Sequence, residues 1–285
     1  MTRLIGVTLL ILVLNAQPSR AEPPTNVQGD GTDPRSGFRR VLLIGQGPDG
    51  HPFSTHEYMA GVRLLEHLLQ PIDGLQPLVV RADGPWTRGP ELIDGAHAVV
   101  LFVSEGARWI RQDHKRLQAF QRLSARQGGF VCLHWGMGTR QAENIADYVK
   151  LFGGCHGGPD RRYKVVQTRA HIATNHPVTQ GLADFDVNDE FYYALKFAKS
   201  PRITPLLNVT IEGAPHTVAW AWQRADGGRS FGFSGCHFHR NWSLPEYRRL
   251  VVQGVLWSAN FATPKGFSTN VPQSALRLEP RTDKP

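Results

Sequence analysis

The chain has 285 residues, 41% of them hydrophobic and 20% charged, with a formal charge of +8. Its basic residues fall in scattered pairs, Arg39-Arg40, Arg161-Arg162 and Arg248-Arg249. No clustered basic face interleaves with aromatics, which excludes nucleic acid as a partner. Three cysteines, Cys132, Cys155 and Cys236, are an odd count and exclude a disulfide framework.

The N-terminus reads as an export signal. Arg3 is followed by an apolar run from Leu4 to Leu14, and Ser19 and Ala21 are small residues at the −3 and −1 cleavage positions. The run is too short to span a bilayer, which needs roughly 20 apolar residues, and no later segment is apolar enough to do so. Residues 1–21 are therefore expected to be removed, leaving an exported protein, periplasmic or extracellular, with no integral membrane segment. Losing Arg3 and Arg20, with no acid in that stretch, leaves a charge of +6. Residues 22–37 read as a polar linker, 38–262 as one α/β domain, and 263–285 as a polar tail. An oxidising compartment permits one bridge, for which Cys155 and Cys236 are the pair, each within a Gly-Cys-His triplet.

Val41 to Ile44 reads as a buried strand. Ser54 and Glu57 form a capping box before Met59, Val62, Leu65, Leu68 and Leu69, whose spacing predicts a helix that Pro71 stops. Leu78 to Val80 and Ala98 to Val103 read as strands. Leu117, Phe120 and Leu123 mark a helix beginning near Asp113, and Phe130 to Leu133 is a fourth strand. This alternation predicts a mostly parallel, doubly wound sheet. The second half adds strands over Lys164–Thr168, Phe191–Phe197, Leu206–Ile211, His216–Trp222 and Ser230–Phe233. Helices are expected over Ala142–Phe152 and after a second capping box, Ser243 with Glu246.

Gly45 to Gly50 matches G-x-G-x-x-G, but its context argues against a nucleotide cofactor. Pro48 and the capping box push the helix start away from the glycines, and no acid ends a second strand about 20 residues on. A flexible loop at the mouth of the sheet is the expected role. Histidines gather where ligands bind in such sheets, beyond the carboxyl ends of the strands. His51 and His56 flank the first strand–helix connection, His134 ends the fourth strand, His156 follows Gly153-Gly154-Cys155, and His176 opens His176-Pro177-Val178-Thr179. His237 and His239 share one face if the last strand continues through them. They are the candidate ligands of a divalent metal ion, with the Asp189-Glu190 pair as a carboxylate source. Trp135 and Trp242, beside histidines at element ends, are candidate sugar-stacking residues, whereas Trp220 and Trp222 read as core.

Gly129 to Gly136 resembles the strand-to-helix elbow of class I glutamine amidotransferases, with His134 at the turn and Cys132 inside the strand. Amidotransferase Cys chemistry is thus not expected. Taken in order, Gly128–His134, Leu151–Gly154 with His156, His176–Leu182, Asp189–Tyr192, Trp220, Gly228-Arg229, Ser234–His237 and Gly254–Ala259 resemble the ThuA-like family, named for trehalose utilisation. The resemblance implies an α/β, flavodoxin-like (class I glutamine amidotransferase-like) fold with added antiparallel strands. It also implies a role in carbohydrate metabolism, with a sugar or keto-sugar as ligand. His56, His134, His156, His176, Glu190 and His237 match the family's shared polar positions; Cys155 and Cys236 depart from its pattern. The expected activity is isomerisation, elimination or hydrolysis without a redox cofactor. His134, Glu190 and His156 would be catalytic, and His56, Trp135, His176 and Trp242 would bind substrate. The alternative is a non-catalytic carbohydrate-binding or scaffold module.

Overall fold

The computed structural model describes residues 38–279; the expected signal peptide and linker lie outside them. In chain order the elements are β1 (Arg39–Gly45), α1 (Tyr58–Leu69), β2 (Leu75–Arg81), α2 (Gly89–Asp94), β3 (Ala98–Phe102), α3 (Gly106–Arg111) and α4 (His114–Ala125). There follow β4 (Gly129–Leu133), β5 (Gly138–Thr139), α5 (Ile145–Phe152), β6 (Gly154–Gly157), β7 (Arg162–Ile172) and β8 (Phe185–Tyr193). The chain continues with β9 (Lys196–Phe197), β10 (Ile203–Ile211), β11 (Ala214–Gln223), β12 (Arg229–Phe233) and α6 (Pro245–Ser258).

Nine strands form one sheet in the order β2-β1-β3-β4-β12-β11-β10-β7-β8. The first five run parallel, and the last four are joined antiparallel. The parallel half has the flavodoxin-type order, with the last strand of the chain in the fifth place. Val41 to Ile44, Ala98 to Leu101 and Phe130 to Leu133 are wholly buried, as strands covered on both faces must be. Helices α1 and α6 pack together over β1, β3, β4 and β12, while α4 packs against α2, α3 and α5. Among the described residues no helix is long and apolar enough to cross a membrane.

Several boundaries differ from expectation for identifiable reasons. Helix α1 starts at Tyr58 with Glu57 at its cap, because Ser54 sits at φ 71° in a separate turn. Only half of the predicted box forms: the Ser54 N–H donates to Glu57 Oε1 at 2.9 Å. Helix α6 opens on Pro245 with Leu244 at its cap, so Ser243 caps nothing. The strand expected over 191–197 begins six residues earlier and ends at Tyr193, because Ala194 at φ 53° turns the chain out of the sheet. The last strand ends at Phe233, four residues before His237.

All three cysteines are buried and free, so the one bridge that the sequence permits, between Cys155 and Cys236, is not formed. Cys155 is fixed in β6 opposite Lys196. Cys236 lies on the loop after β12, its N–H held by Asp189 at 3.0 Å. Burial pushes the Cys155 thiol up to about 12.

Candidate metal centre in the strand-end cleft

The loops that leave β1, β4 and β12 converge beyond the carboxyl edge of the parallel strands. His56 lies in the turn before α1, His134 is the first residue after β4, and His237 is in the loop after β12. The segments at 54–56 and 237–239 pair like two short antiparallel strands. His56 N–H donates to the His237 carbonyl at 3.1 Å and His239 N–H to the Ser54 carbonyl at 2.9 Å. That pairing sets His56 beside His237. His56 and His134 have φ of 51° and 46°, and Cys236 next to His237 has 79°. Such left-handed conformations cost non-glycine residues on the order of 1–3 kcal/mol each and gather at functional sites. Gly136 is needed here for space. A Cβ on it would collide with the Leu101 carbonyl at the end of β3, so only glycine lets the turn carrying His134 pack that closely.

Three imidazole nitrogens face one another. His134 Nε2 lies 3.0 Å from His56 Nε2 and 3.1 Å from His237 Nδ1, and His56 Nε2 lies 3.1 Å from His237 Nδ1. Glu190 Oε1 is 3.6 Å from His237 Nδ1 and 3.8 Å from His134 Nε2. The Tyr192 hydroxyl is 3.0 Å from His134 Nε2.

The outer nitrogens decide the tautomers. His134 Nδ1 is 2.8 Å from the Ser234 carbonyl, which can only accept, so Nδ1 carries the proton and Nε2 a lone pair. His56 Nδ1 is 2.9 Å from Asp49 Oδ2 and likewise donates, leaving a second lone pair on its Nε2. Burial works against the Asp49 charge, but hydrogen bonds from His56 and Tyr58 outweigh it and hold the carboxyl well below the usual range. Two lone pairs 3.0 Å apart repel unless a proton or a cation lies between them. Burial, with the neighbouring imidazoles, lowers the basicity of His134 well below normal, and burial takes His237 down to about 3. The proton solution is therefore costly.

The donor set fits a cation. Zinc–imidazole bonds of about 2.0–2.1 Å imply nitrogens about 3.3 Å apart in a tetrahedron, close to what is seen. His56, His134, His237 and Glu190 form a group that could hold a metal ion. Three imidazoles and a carboxylate suit zinc, manganese or iron. The Asp49–His56 contact supplies the carboxylate behind a ligand that such sites use to fix the ring.

Strand period places the acids. Asp189 and Glu190 project to opposite sides of β8. Asp189 is fully buried and receives the Cys236 N–H, the Phe238 N–H at 3.1 Å and the Tyr247 hydroxyl at 2.6 Å, so it fixes the His237 loop. Burial raises Asp189 to about 6. Glu190 faces the cleft, where burial and then the Asp189 charge raise it to about 7.

The cleft is lined by His51, His56, Trp135, Arg140 and His156, and further by Arg161, Tyr163, Glu190 and Tyr192. His156 stacks on Tyr192 with ring centroids 3.9 Å apart, and Trp135 packs 5.7 Å from both rings. Burial, then Arg161 and Lys196, hold His156 at about 3.

Three expected site residues lie elsewhere. Trp242 is 1% exposed and packs on Tyr247 and beneath Gly61, in the core between α1 and α6. His176 staples its own turn, accepting the Val178 N–H at 3.2 Å, and packs on Trp257. His239 parts from His237 because the chain there enters a 3-10 turn, not a continuing strand; it is outside the cluster of ligand atoms. Asp49, Tyr192, Arg140 and Arg161 were not singled out from sequence. Asp49 lies within the glycine-rich loop, two residues before His51. An acid does stand just past β2: Asp83, which takes the Gly47 N–H at 3.1 Å and ties that loop down. Cys132 lies within β4, buried and raised by desolvation, while His134 holds the elbow.

A family model described as ThuA, trehalose utilisation, matches residues 55–258. Among solved structures, a ThuA-like protein from Bacteroides uniformis ATCC 8492 aligns with a TM-score of 0.59 at 14% identity, covering 83% of this chain and 95% of that one. PurLQS from Thermotoga maritima aligns with a TM-score of 0.44 at 12% identity, covering 78% of this chain and 98% of that one. No match is found among curated proteins. With the family model spanning most of the chain over the elements that build the cleft, the chain belongs to the ThuA trehalose-utilisation family.

Proposed function

We propose that this protein is an enzyme that transforms a sugar or keto-sugar by acid–base chemistry at a metal-assisted centre, without a nucleotide cofactor. The observation that carries the reading is the convergence of three imidazole nitrogens at 3.0–3.1 Å, two of them fixed as lone pairs by their outer hydrogen bonds. His56, His134 and His237 would hold the ion, and a bound divalent cation would supply Lewis acidity toward a sugar carbonyl oxygen. Family membership supports a carbohydrate ligand.

The chain's own groups supply the rest. Glu190 borders both the cluster and the cleft, and a carboxyl raised to about 7 suits a general base working near neutral pH. It would take the proton from the carbon beside the carbonyl, leaving the electron pair to the carbonyl oxygen as an enediolate. The same carboxylic acid can return the proton to the adjacent carbon. His156 is neutral at working pH, and with Trp135 it offers a hydrogen-bonding and apolar wall to the sugar ring. The Tyr192 hydroxyl, 3.0 Å from His134 Nε2 and lining the cleft, would be released from that lone pair once an ion takes it and could then donate to the sugar. The export pattern at residues 1–21 supports a place of action outside the cytoplasm.

Metal analysis of the purified protein tests the first part, and keto-sugar turnover by wild type, His134→Ala and Glu190→Gln tests the second. The expected result is about one divalent ion per chain and loss of turnover in both variants. A metal-free protein that refuses added zinc, manganese and iron, or unchanged turnover in both variants, would overturn the reading.

A further inference from the structure

The cations of the cleft wall are not equivalent. Arg140 is ion-paired to buried Glu105, so its charge is already answered. Arg161 donates to the Gly158 carbonyl at 3.2 Å, and among the described residues no carboxylate pairs with it. The acid next to it in the chain, Asp160, is bound to Lys196 at 2.9 Å. Among the described residues, Glu190 is the one carboxylate lining the cleft, and it faces the histidines. The Arg161 charge is felt inside the cleft, because after burial it is the leading cause of the lowered basicity of His156. A guanidinium held by its own backbone and left without a counter-charge presents a planar fork suited to a carboxylate or a phosphate.

We propose that the sugar this cleft accepts is acidic, carrying a carboxylate or phosphate that Arg161 receives while the reacting carbonyl lies toward the histidine cluster. This rests on the sugar reading above and narrows it to a substrate class. A neutral sugar would leave Arg161 half-buried and uncompensated. An acidic one forms a charge-assisted bidentate pair at one end and keeps its hydroxyls for His51, His156 and Tyr192.

Calorimetric titration of the zinc-supplied full chain with glucose, glucuronate and glucose 6-phosphate tests this without relying on turnover. At least one acidic sugar should bind about tenfold or more tightly than glucose, the size of one charge-assisted hydrogen bond. The preference should weaken in high salt. Arg161→Gln should bring the acidic sugar to the glucose affinity, while Arg161→Lys should keep part of the preference, since the charge remains without the fork. Which acid gains separates carboxylate from phosphate recognition. Equal affinity for all three would overturn the inference and leave the sugar reading standing. A preference that survives Arg161→Gln would overturn the assignment to Arg161. Binding of none of the three would overturn the sugar reading and this inference together.

Discussion

Asp49 Oδ2 lies 2.9 Å from His56 Nδ1, on the side of the ring opposite the nitrogen that meets His134. This contact fixes both the tautomer and the aim of His56. The carboxylate is held in turn by the Tyr58 hydroxyl at 2.6 Å and by His51 Nδ1 at 2.7 Å. Asp49→Asn keeps the shape but lets an amide N–H face the ring, which frees His56 to take the wrong tautomer. The expected outcome is metal affinity lowered about 10–100-fold, as for other carboxylates behind a ligand histidine. Competition with a fluorescent chelator measures it. An unchanged affinity would show that Asp49 has only a structural part in the loop.

Metal binding should register as stability. A ligand that binds only the folded state stabilises it by about 2.7 kcal/mol at a hundred times its Kd. Added zinc is expected to raise the Tm of the chelator-treated wild type by several degrees. His134→Ala and His237→Ala should each abolish most of that rise while the metal-free variants still melt cooperatively. Scanning calorimetry with and without zinc gives the comparison. An equal rise in wild type and both variants would place any ion elsewhere.

Much of this was legible in the sequence. The continuous apolar runs of β1, β3 and β4 identify buried parallel strands, and the i, i+3, i+4 spacing identifies α1 and α4. The six-residue helices α2 and α3 are too short to show a period. The start of β8 was hidden because Asp186, Asn188 and Asp189 are poor strand formers, and only pairing with β7 makes them one. His56, His134 and His237 stood out because strand-end histidines in a doubly wound sheet have a shared place to meet. Asp49 carries no such signal, because an acid inside a glycine-rich loop looks like any turn residue. Trp242 points into the core, because nearness to a histidine in sequence does not decide which way an indole points. Arg161 sits in a loop before β7, and nothing local distinguishes its charge from that of Arg162.

The metal-free protein should lose stability on mild acidification. The folded state keeps His237 and His156 neutral down to about 3, and His134 is also lowered, whereas unfolded histidines protonate near pH 6.5. As pH falls below 6.5 the unfolded chain therefore binds protons that the folded one does not, and the folded state loses ground. Asp189 at about 6 and Glu190 at about 7 work the other way, since the folded state takes up their protons first. These three histidines against two acids leave a net difference of at least about one proton near pH 5, a slope of about 1.4 kcal/mol per pH unit or more. His97, His176 and His239, also lowered by burial, add to it in the same direction. Urea midpoints should fall steadily between pH 6.5 and pH 5. A midpoint that rises over that interval would mean that the carboxyls, not the imidazoles, dominate.

Glu190→Gln separates two roles that the distances alone leave together, since Oε1 at 3.6–3.8 Å from two imidazole nitrogens could serve as ligand or as base. As a base, Glu190 contributes a proton acceptor that glutamine cannot replace, and general-base catalysis is typically worth about 10²–10⁴ in rate. As a fourth ligand, its loss would first appear in the metal. Its raised value adds a second signature. Below about pH 7 a ligating Glu190 must release a proton when the ion enters, so the logarithm of the affinity would climb by up to about one per pH unit between 5 and 7. His134 and His237, already neutral over that range, add little slope. For a base that does not ligate, we expect a nearly flat affinity over pH 5–7, metal content retained in Glu190→Gln, and turnover reduced at least a hundredfold. Chelator competition at several pH values and turnover of the metal-supplied variant give both readings. A steep slope that vanishes in the variant, together with lost metal, would move Glu190 into the coordination sphere and pass the base role to one of the two cleft imidazoles outside the cluster, His51 or His156.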